Sequence, residues 1–235
     1  MRIDKLLSNV GYGSRKEVKK ILKGGSVAVN GQTIKDAKFH VDPYKDSVLI
    51  FGEEVEYREF IYLMMNKPPG VISATEDYHD ETVVDLLDPK HSVYEPFPVG
   101  RLDKDTEGLL ILTNDGQLAH QLLSPKKNVP KTYFAVINSE VTESDIEEFK
   151  KGVILDDGYH TKPGELTILK SGLHSDIELT ITEGKFHQVK RMFEAVGKKV
   201  VYLKRVSMGP IQLDDILQLG EYRELTEKEI QLLKE

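Results

Sequence analysis

Gly100-Arg101-Leu102-Asp103-Lys104-Asp105-Thr106-Glu107-Gly108-Leu109 sets two carboxylates and an arginine in a glycine-bounded turn, between the apolar runs Phe97-Pro98-Val99 and Leu109-Leu110-Ile111-Leu112. A turn that only reverses the chain draws on Gly, Asn or Asp and has little use for an Arg two residues before an Asp. A carboxylate fixed beside a guanidinium stays ionised and oriented, as a nucleophile or general base must be. Local chemistry leaves two readings open: a reactive site, or a polar hairpin with a surface ion pair.

Outward from this turn, strands and helices alternate without a regular βαβ repeat. Ile61–Met65, Leu109–Thr113, Lys131–Ile137, Gly164–Leu169 and Ile177–Thr182 read as strands, as do the two short runs Val200–Leu203 and Val206–Met208. Helices are expected over Thr82–Leu87 with Thr82 as cap, after Asn114-Asp115-Gly116, around Ser144–Lys151, over Gln188–Val196 and after the capping box Thr226–Glu229. Asn66-Lys67-Pro68-Pro69-Gly70 is a rigid turn, architectural rather than chemical. The order implies an α+β fold with a mixed, mostly antiparallel sheet. No GxGxxG or GxxxxGK[ST] loop supports a nucleotide-binding fold.

Composition narrows the chemistry. With no Cys there are no disulfides, no Cys-ligated zinc, no iron–sulfur cluster and no thiol catalysis. The seven His show no HExxH spacing, so no metal is expected, and the missing nucleotide loop gives no sign of an organic cofactor. No apolar run nears the roughly 20 residues that span a bilayer, and the first residues carry no apolar signal core. A cytoplasmic, monomeric protein without membrane contact is expected. The net charge of −7 conceals an asymmetry: residues 1–25 carry seven basic groups against two acidic ones. Phosphate binding depends on such a local patch, although most charge runs are solvated helix faces.

In that basic segment Ile3, Leu6, Leu7 and Val10 mark a short amphipathic helix. The capping box Ser14-Arg15-Lys16-Glu17 opens a second, with Val18, Ile21 and Leu22 as its core face. Arg15, Lys16, Lys19, Lys20 and Lys23 fall opposite, as a ridge. Val27-Ala28-Val29 reads as a strand and Asn30-Gly31 as a hairpin turn, with a further strand pair around Ser47–Ile50 and Glu54–Tyr57. With Arg2-Ile3-Asp4-Lys5-Leu6-Leu7 and Gly13-Ser14-Arg15, this αα-β unit resembles the S4 RNA-binding domain. The resemblance implies RNA contacts at Arg2, Lys5, Arg15, Lys16 and Lys19, made to phosphate and shape more than to sequence. The domain is expected over residues 1–57, ahead of a larger one over 60–235.

The turn at Gly100–Leu109 is joined by Lys131-Thr132-Tyr133 and by Glu183-Gly184-Lys185-Phe186-His187-Gln188-Val189-Lys190-Arg191-Met192. With Asn66-Lys67-Pro68-Pro69-Gly70, these motifs resemble the pseudouridine synthases. The resemblance is to the RsuA-type branch that acts on ribosomal RNA behind an S4 domain, and most to its small-subunit (16S) member. It implies isomerisation of a uridine within RNA: the N1–C1′ bond is cut, the base turns, and C5 rejoins the ribose. It also implies Asp103 as the catalytic carboxylate, Lys190 as its cationic partner and Tyr133 as the ring beside the base, with Asp105 stabilising the turn. Arg101, His187, Gln188, Arg191 and Leu203 are implied as substrate or RNA contacts. A basic rim of Arg101, Lys190, Arg191, Lys204 and Arg205 is expected to add affinity, with ribosomal RNA or a small-subunit assembly intermediate as partner.

Three alternatives stay in view. One is a large-subunit (23S) enzyme of the same branch. Another is a non-catalytic S4-type assembly factor, against which the intact Asp103, Tyr133 and Lys190 argue. The third is a glycosidase using Asp103 and Asp105, but two positions of one turn do not flank a sugar from opposite sides.

Overall fold

Ile3, Leu6 and Leu7 on α1 (Ile3–Asn9) meet Val18 and Leu22 on α2 (Arg15–Lys23), forming the core of the first of two units. The computed structural model describes residues 1–235. Ser14 and Glu17 form the capping box: the Glu17 carboxylate accepts from the Ser14 amide at 2.8 Å while Ser14 Oγ accepts from the Glu17 amide. A four-stranded sheet completes this core. Its strands β1 (Val27–Val29), β2 (Gln32–Thr33), β3 (Val48–Ile50) and β4 (Glu53–Glu54) stand in the order β2-β1-β3-β4. Asn30 and Gly31 both take positive φ, as the two-residue turn between β1 and β2 requires.

The first unit comprises Met1–Ile61 together with Leu87–Pro96. The second segment, with the short helix α3 (Pro89–Ser92), was expected in the larger domain, but Val93 packs at Gly11 within the smaller unit. The helix expected over Thr82–Leu87 is a turn. Thr82 and Asp85 exchange the anticipated cap hydrogen bonds, yet Asp88 ahead of Pro89 is extended and the helix begins only at the proline.

The second unit, Tyr62–Leu86 with Phe97–Glu235, is built on a nine-stranded sheet. Its strands are β5 (Tyr62–Lys67), β6 (Phe97–Pro98), β7 (Glu107–Thr113), β8 (Lys131–Ile137), β9 (Glu165–Lys170), β10 (Ser175–Ile181), β11 (Val200–Met208), β12 (Ile211–Gln212) and β13 (Tyr222–Glu224). The main path runs β13-β5-β7-β11-β8-β10-β9, with β12 on β11 and β6 on β7. Only β7 and β11 pair in parallel; every other ladder is antiparallel.

Every residue of β5 is buried, and β7 is nearly so, because the sheet centre is covered on both faces; this accounts for their continuous apolar runs. β8 and β10 instead alternate buried and half-buried residues, with one face covered. Helices α4 (Gly116–Leu123) and α7 (Glu227–Lys234) place Leu118, Leu122 and Leu233 against Met64, Leu109 and Ile111. In α5 (Glu143–Lys151) and α6 (Gln188–Ala195), Phe149 and Phe193 are wholly buried with ring centroids 4.9 Å apart. Truncating either to alanine is expected to cost about 3–5 kcal/mol. Val200–Met208 is one strand, not two. The charged pair Lys204-Arg205, which reads as a break, lies inside the ladder with Arg205 opposite Tyr133. No helix is long and apolar enough to cross a membrane.

Candidate active site

The turn between β6 and β7 is held by β5 and the segment after it. Lys67 ends β5 paired with Gly108, and its side chain is completely buried. Lys67 Nζ donates to the carbonyls of Pro68, Asp103 and Thr106 at 3.0, 3.1 and 3.0 Å, and more weakly to Lys104 at 3.4 Å. Burial pulls its pKa down to about 8, against the opposing pull of Asp105, Asp103 and Glu107. Ser73 Oγ donates to the Leu102 carbonyl and accepts from the Leu102 amide, and the Gly70 amide donates to the Lys104 carbonyl at 2.7 Å. Lys104 pairs with Asp80 at 2.6 Å. Four backbone positions of the turn are thus fixed before its side chains are considered.

Gly108 makes the parallel junction possible. A Cβ there would run into the Arg205 carbonyl oxygen and sit 2.8 Å from the Arg205 amide nitrogen, and the residue has φ +102°. Gly108→Ala is expected to destabilise the protein by about 2–4 kcal/mol, a drop of several degrees in Tm by calorimetry.

Opposite the turn, Glu183 and Gln188 brace the loop ahead of α6. Gln188 Nε2 donates to Glu183 Oε1 at 2.7 Å while Gln188 Oε1 accepts from the Lys185 amide. Glu183 also accepts from the Tyr159 hydroxyl and the Lys162 amide. His187 precedes α6 in the left-handed region, φ +49°, and Lys190 lies one turn on, so both side chains leave the same helical face. Lys190 Nζ reaches Asp103 Oδ2 at 3.1 Å and Asp105 Oδ1 at 2.7 Å, and His187 Nε2 stands 3.6 Å from Asp103 Oδ1. Desolvation opposes the charge on Lys190, but its bonds to Asp105 and Asp103 prevail and raise its pKa above the ordinary lysine value. The bond to Lys190 holds the Asp105 carboxyl below the usual range.

One pocket gathers Arg101, Asp103, Thr106, Tyr133, His187 and Gln188 with the apolar side chains of Leu102, Ile181, Val189 and Leu203. Asp103 keeps about a quarter of its side-chain surface open there. Tyr133 and Leu203, from neighbouring strands β8 and β11, are both buried and make its wall. Arg101 is exposed. The geometry is a carboxylate beside a cation, with an aromatic ring and an aliphatic side chain in the pocket wall.

The structure adds to some of these expectations and corrects others. Asp105 shares Lys190 with Asp103, and Lys67 also holds the turn through its backbone carbonyls. Gln188 is buried with its amide engaged by the loop, so of the two roles open to it, orienting backbone or substrate, it has the backbone one. Arg191 is paired with Asp156 and Asp157 and is absent from the pocket lining. Arg205 is no rim residue: it is buried, its Nε donates to the Leu109 carbonyl at 2.8 Å, and its Nη2 has no partner. In the first unit Arg2 is tied to buried Asp4 through two hydrogen bonds, whereas Lys5, Arg15, Lys16 and Lys19 are exposed.

Residues 61–195 match the RNA pseudouridylate synthase family and residues 1–44 match the S4 domain. This chain belongs to the RNA pseudouridylate synthase family. It is 61% identical to the Bacillus subtilis (strain 168) "uncharacterized RNA pseudouridine synthase YtzG", over 100% of this chain and 99% of that one. It is 38% identical to the "ribosomal small subunit pseudouridine synthase A" of Escherichia coli (strain K12), over 98% of each. A crystal structure described as a pseudouridylate synthase superposes with a TM-score of 0.69 at 36% identity, over 99% of both chains. The chain is therefore an RNA pseudouridine synthase with an S4 domain.

Proposed function

We propose that this synthase isomerises one uridine of 16S ribosomal RNA, with Asp103 as the catalytic carboxylate and the S4 unit binding RNA. Asp103, which lines a pocket with Tyr133 and Leu203 and is paired with Lys190 at 3.1 Å, is the observation that carries the reading. The small-subunit relative, matched over 98% of its length, supports the choice of RNA. The substrate places the enzyme in the cytoplasm, on free rRNA or a small-subunit assembly intermediate.

Lys190 holds the Asp103 carboxylate aimed at C1′. When the N1–C1′ bond breaks, the pair of electrons leaves with uracil and C1′ becomes electron-poor beside the carboxylate. Tyr133 and Leu203 hold the freed ring while it turns. C5 then bonds to C1′, the C5 hydrogen is released, and N1 regains a proton, so the product is an isomer of the substrate. Arg101 meets the RNA backbone at the pocket mouth. Reaching the uridine requires flipping it out, at a cost of a few kcal/mol of stacking.

A net charge of −7 gives the whole chain no general attraction for RNA, so residues 1–57 supply affinity and residues 60–235 the chemistry. Lys16→Glu with Lys19→Glu is expected to weaken binding to a 16S transcript by at least about tenfold and to flatten the slope of log K against log salt by roughly two phosphate contacts. Filter binding across a salt series measures both, and an unchanged slope would make the ridge a solvated helix face. The reading as a whole is tested with transcripts carrying uridine tritiated at C5. One equivalent of tritium should be released per 16S molecule and none from 23S; release from 23S alone would move the assignment to the large subunit.

A further inference from the structure

We propose that Phe186 and His187 form a stacking subsite for the nucleobase adjoining the isomerised uridine, an inference that rests on the Asp103 pocket being the uridine site. Phe186 is 72% exposed, although a phenyl group gains from burial and Gln188, Val189 and Met192 of the same motif are buried. Its ring lies on the His187 imidazole with centroids 3.7 Å apart and planes within 20°. The same imidazole stands 3.6 Å from Asp103. One face of the phenyl ring is therefore backed by a ring that touches the catalytic carboxylate, and its other face is open.

The loop that presents this pair is built independently of it. Gln188 and Glu183 tie Lys185, and Arg191, itself fixed by Asp156 and Asp157, donates to the Phe186 carbonyl at 3.4 Å. The left-handed backbone at His187 brings the two rings face to face. Phe186 is thus held in place while its side chain supports nothing else, as expected of a preorganised contact rather than a core residue. Arg101 and Lys185 line the adjoining Asp103 pocket with His187 and complement a phosphate chain, which favours a strand of RNA over an apolar protein segment as the occupant. Single-stranded RNA is bound in this way elsewhere, with successive bases stacked on aromatic faces along a cationic path.

The test uses the full chain and two substrates. The first is a cytidine octamer holding one uridine, with 2-aminopurine placed on its 5′ or its 3′ side. Wild type should quench one of the two saturably, Phe186→Trp should retain the quench, and Phe186→Ala and Phe186→Leu should lose it. The second is the tritiated 16S transcript, on which Phe186→Ala should raise KM about tenfold, the effect of one base–aromatic stack, with kcat within about twofold. Quenching that does not depend on Phe186, or Phe186→Leu behaving as wild type in both assays, would overturn the subsite; the second result would point to an apolar protein contact instead. A 16S transcript left unmodified by wild type, with Phe186-dependent quenching intact, would count against the proposed substrate and support the subsite.

Discussion

Asp103→Asn is expected to lower kcat for isomerisation by at least about 10⁴-fold while leaving fold and RNA affinity in place. The amide has the shape of the carboxylate but no charge, so C1′ loses its anionic partner as the glycosidic bond breaks. The substitution does not strand Lys190, because Asp105 already holds that ammonium at 2.7 Å. Stability should therefore change by no more than about 1 kcal/mol, a surface ion pair's worth. Single-turnover tritium release measures the chemical step, and a Tm and a binding isotherm on the same preparation show that the loss is chemical.

Lys67→Met should have the second largest effect, on both stability and turnover. Methionine fills a similar volume, but the carbonyls of Pro68, Asp103 and Thr106 lose their donor inside the protein. Hydrogen bonds to a charged group contribute about 1.5–3 kcal/mol each, partly offset by no longer burying an ammonium, so a net loss of about 2–4 kcal/mol is expected. With the turn loosened, kcat should fall by about 10–100-fold, as small displacements of a reacting group do, with KM little changed.

Lys67 also sets a pH dependence. Burial depresses its pKa from 10.5 to about 8, so between those values the unfolded chain holds a proton that the folded chain has released. Global stability from this group therefore rises with pH across that window, while it is least favourable below pH 8. Activity should run the other way: the clamp on the Asp103 turn weakens as the ammonium deprotonates, so kcat should decline above about pH 8. Lys67→Met should lack that limb, and a profile identical in shape to wild type would remove Lys67 from the positioning of Asp103.

The parts of the site that lie close together along the chain were readable from sequence. Asp103 and its turn, the Lys190 motif, Tyr133 and the Ser14–Glu17 cap each announce themselves within a few residues. What escaped depends on strand pairing. Lys67 in a Lys-Pro-Pro-Gly turn has the look of an exposed base, and only the register of β5 on β7 carries it beneath the Asp103 loop. Arg205 reads in sequence as part of a basic rim, and Lys204-Arg205 as a gap between two short strands. In one continuous β11, side-chain alternation sends Arg205 inward beside Leu203. Arg191 shares the motif of Lys190, yet the neighbouring helical position turns it toward Asp156 and Asp157. Charge was legible, but the partner that consumes it was not.

The central claim, that this protein makes pseudouridine in small-subunit rRNA through Asp103, is tested most directly by mapping pseudouridine in ribosomal RNA from cells lacking the protein. The mapping is repeated after complementation with wild type and with Asp103→Asn. One 16S position should be lost on deletion, return with wild type and stay unmodified with Asp103→Asn. Return of that position with the Asp103→Asn protein, or the loss of a 23S position in its place, would contradict the account.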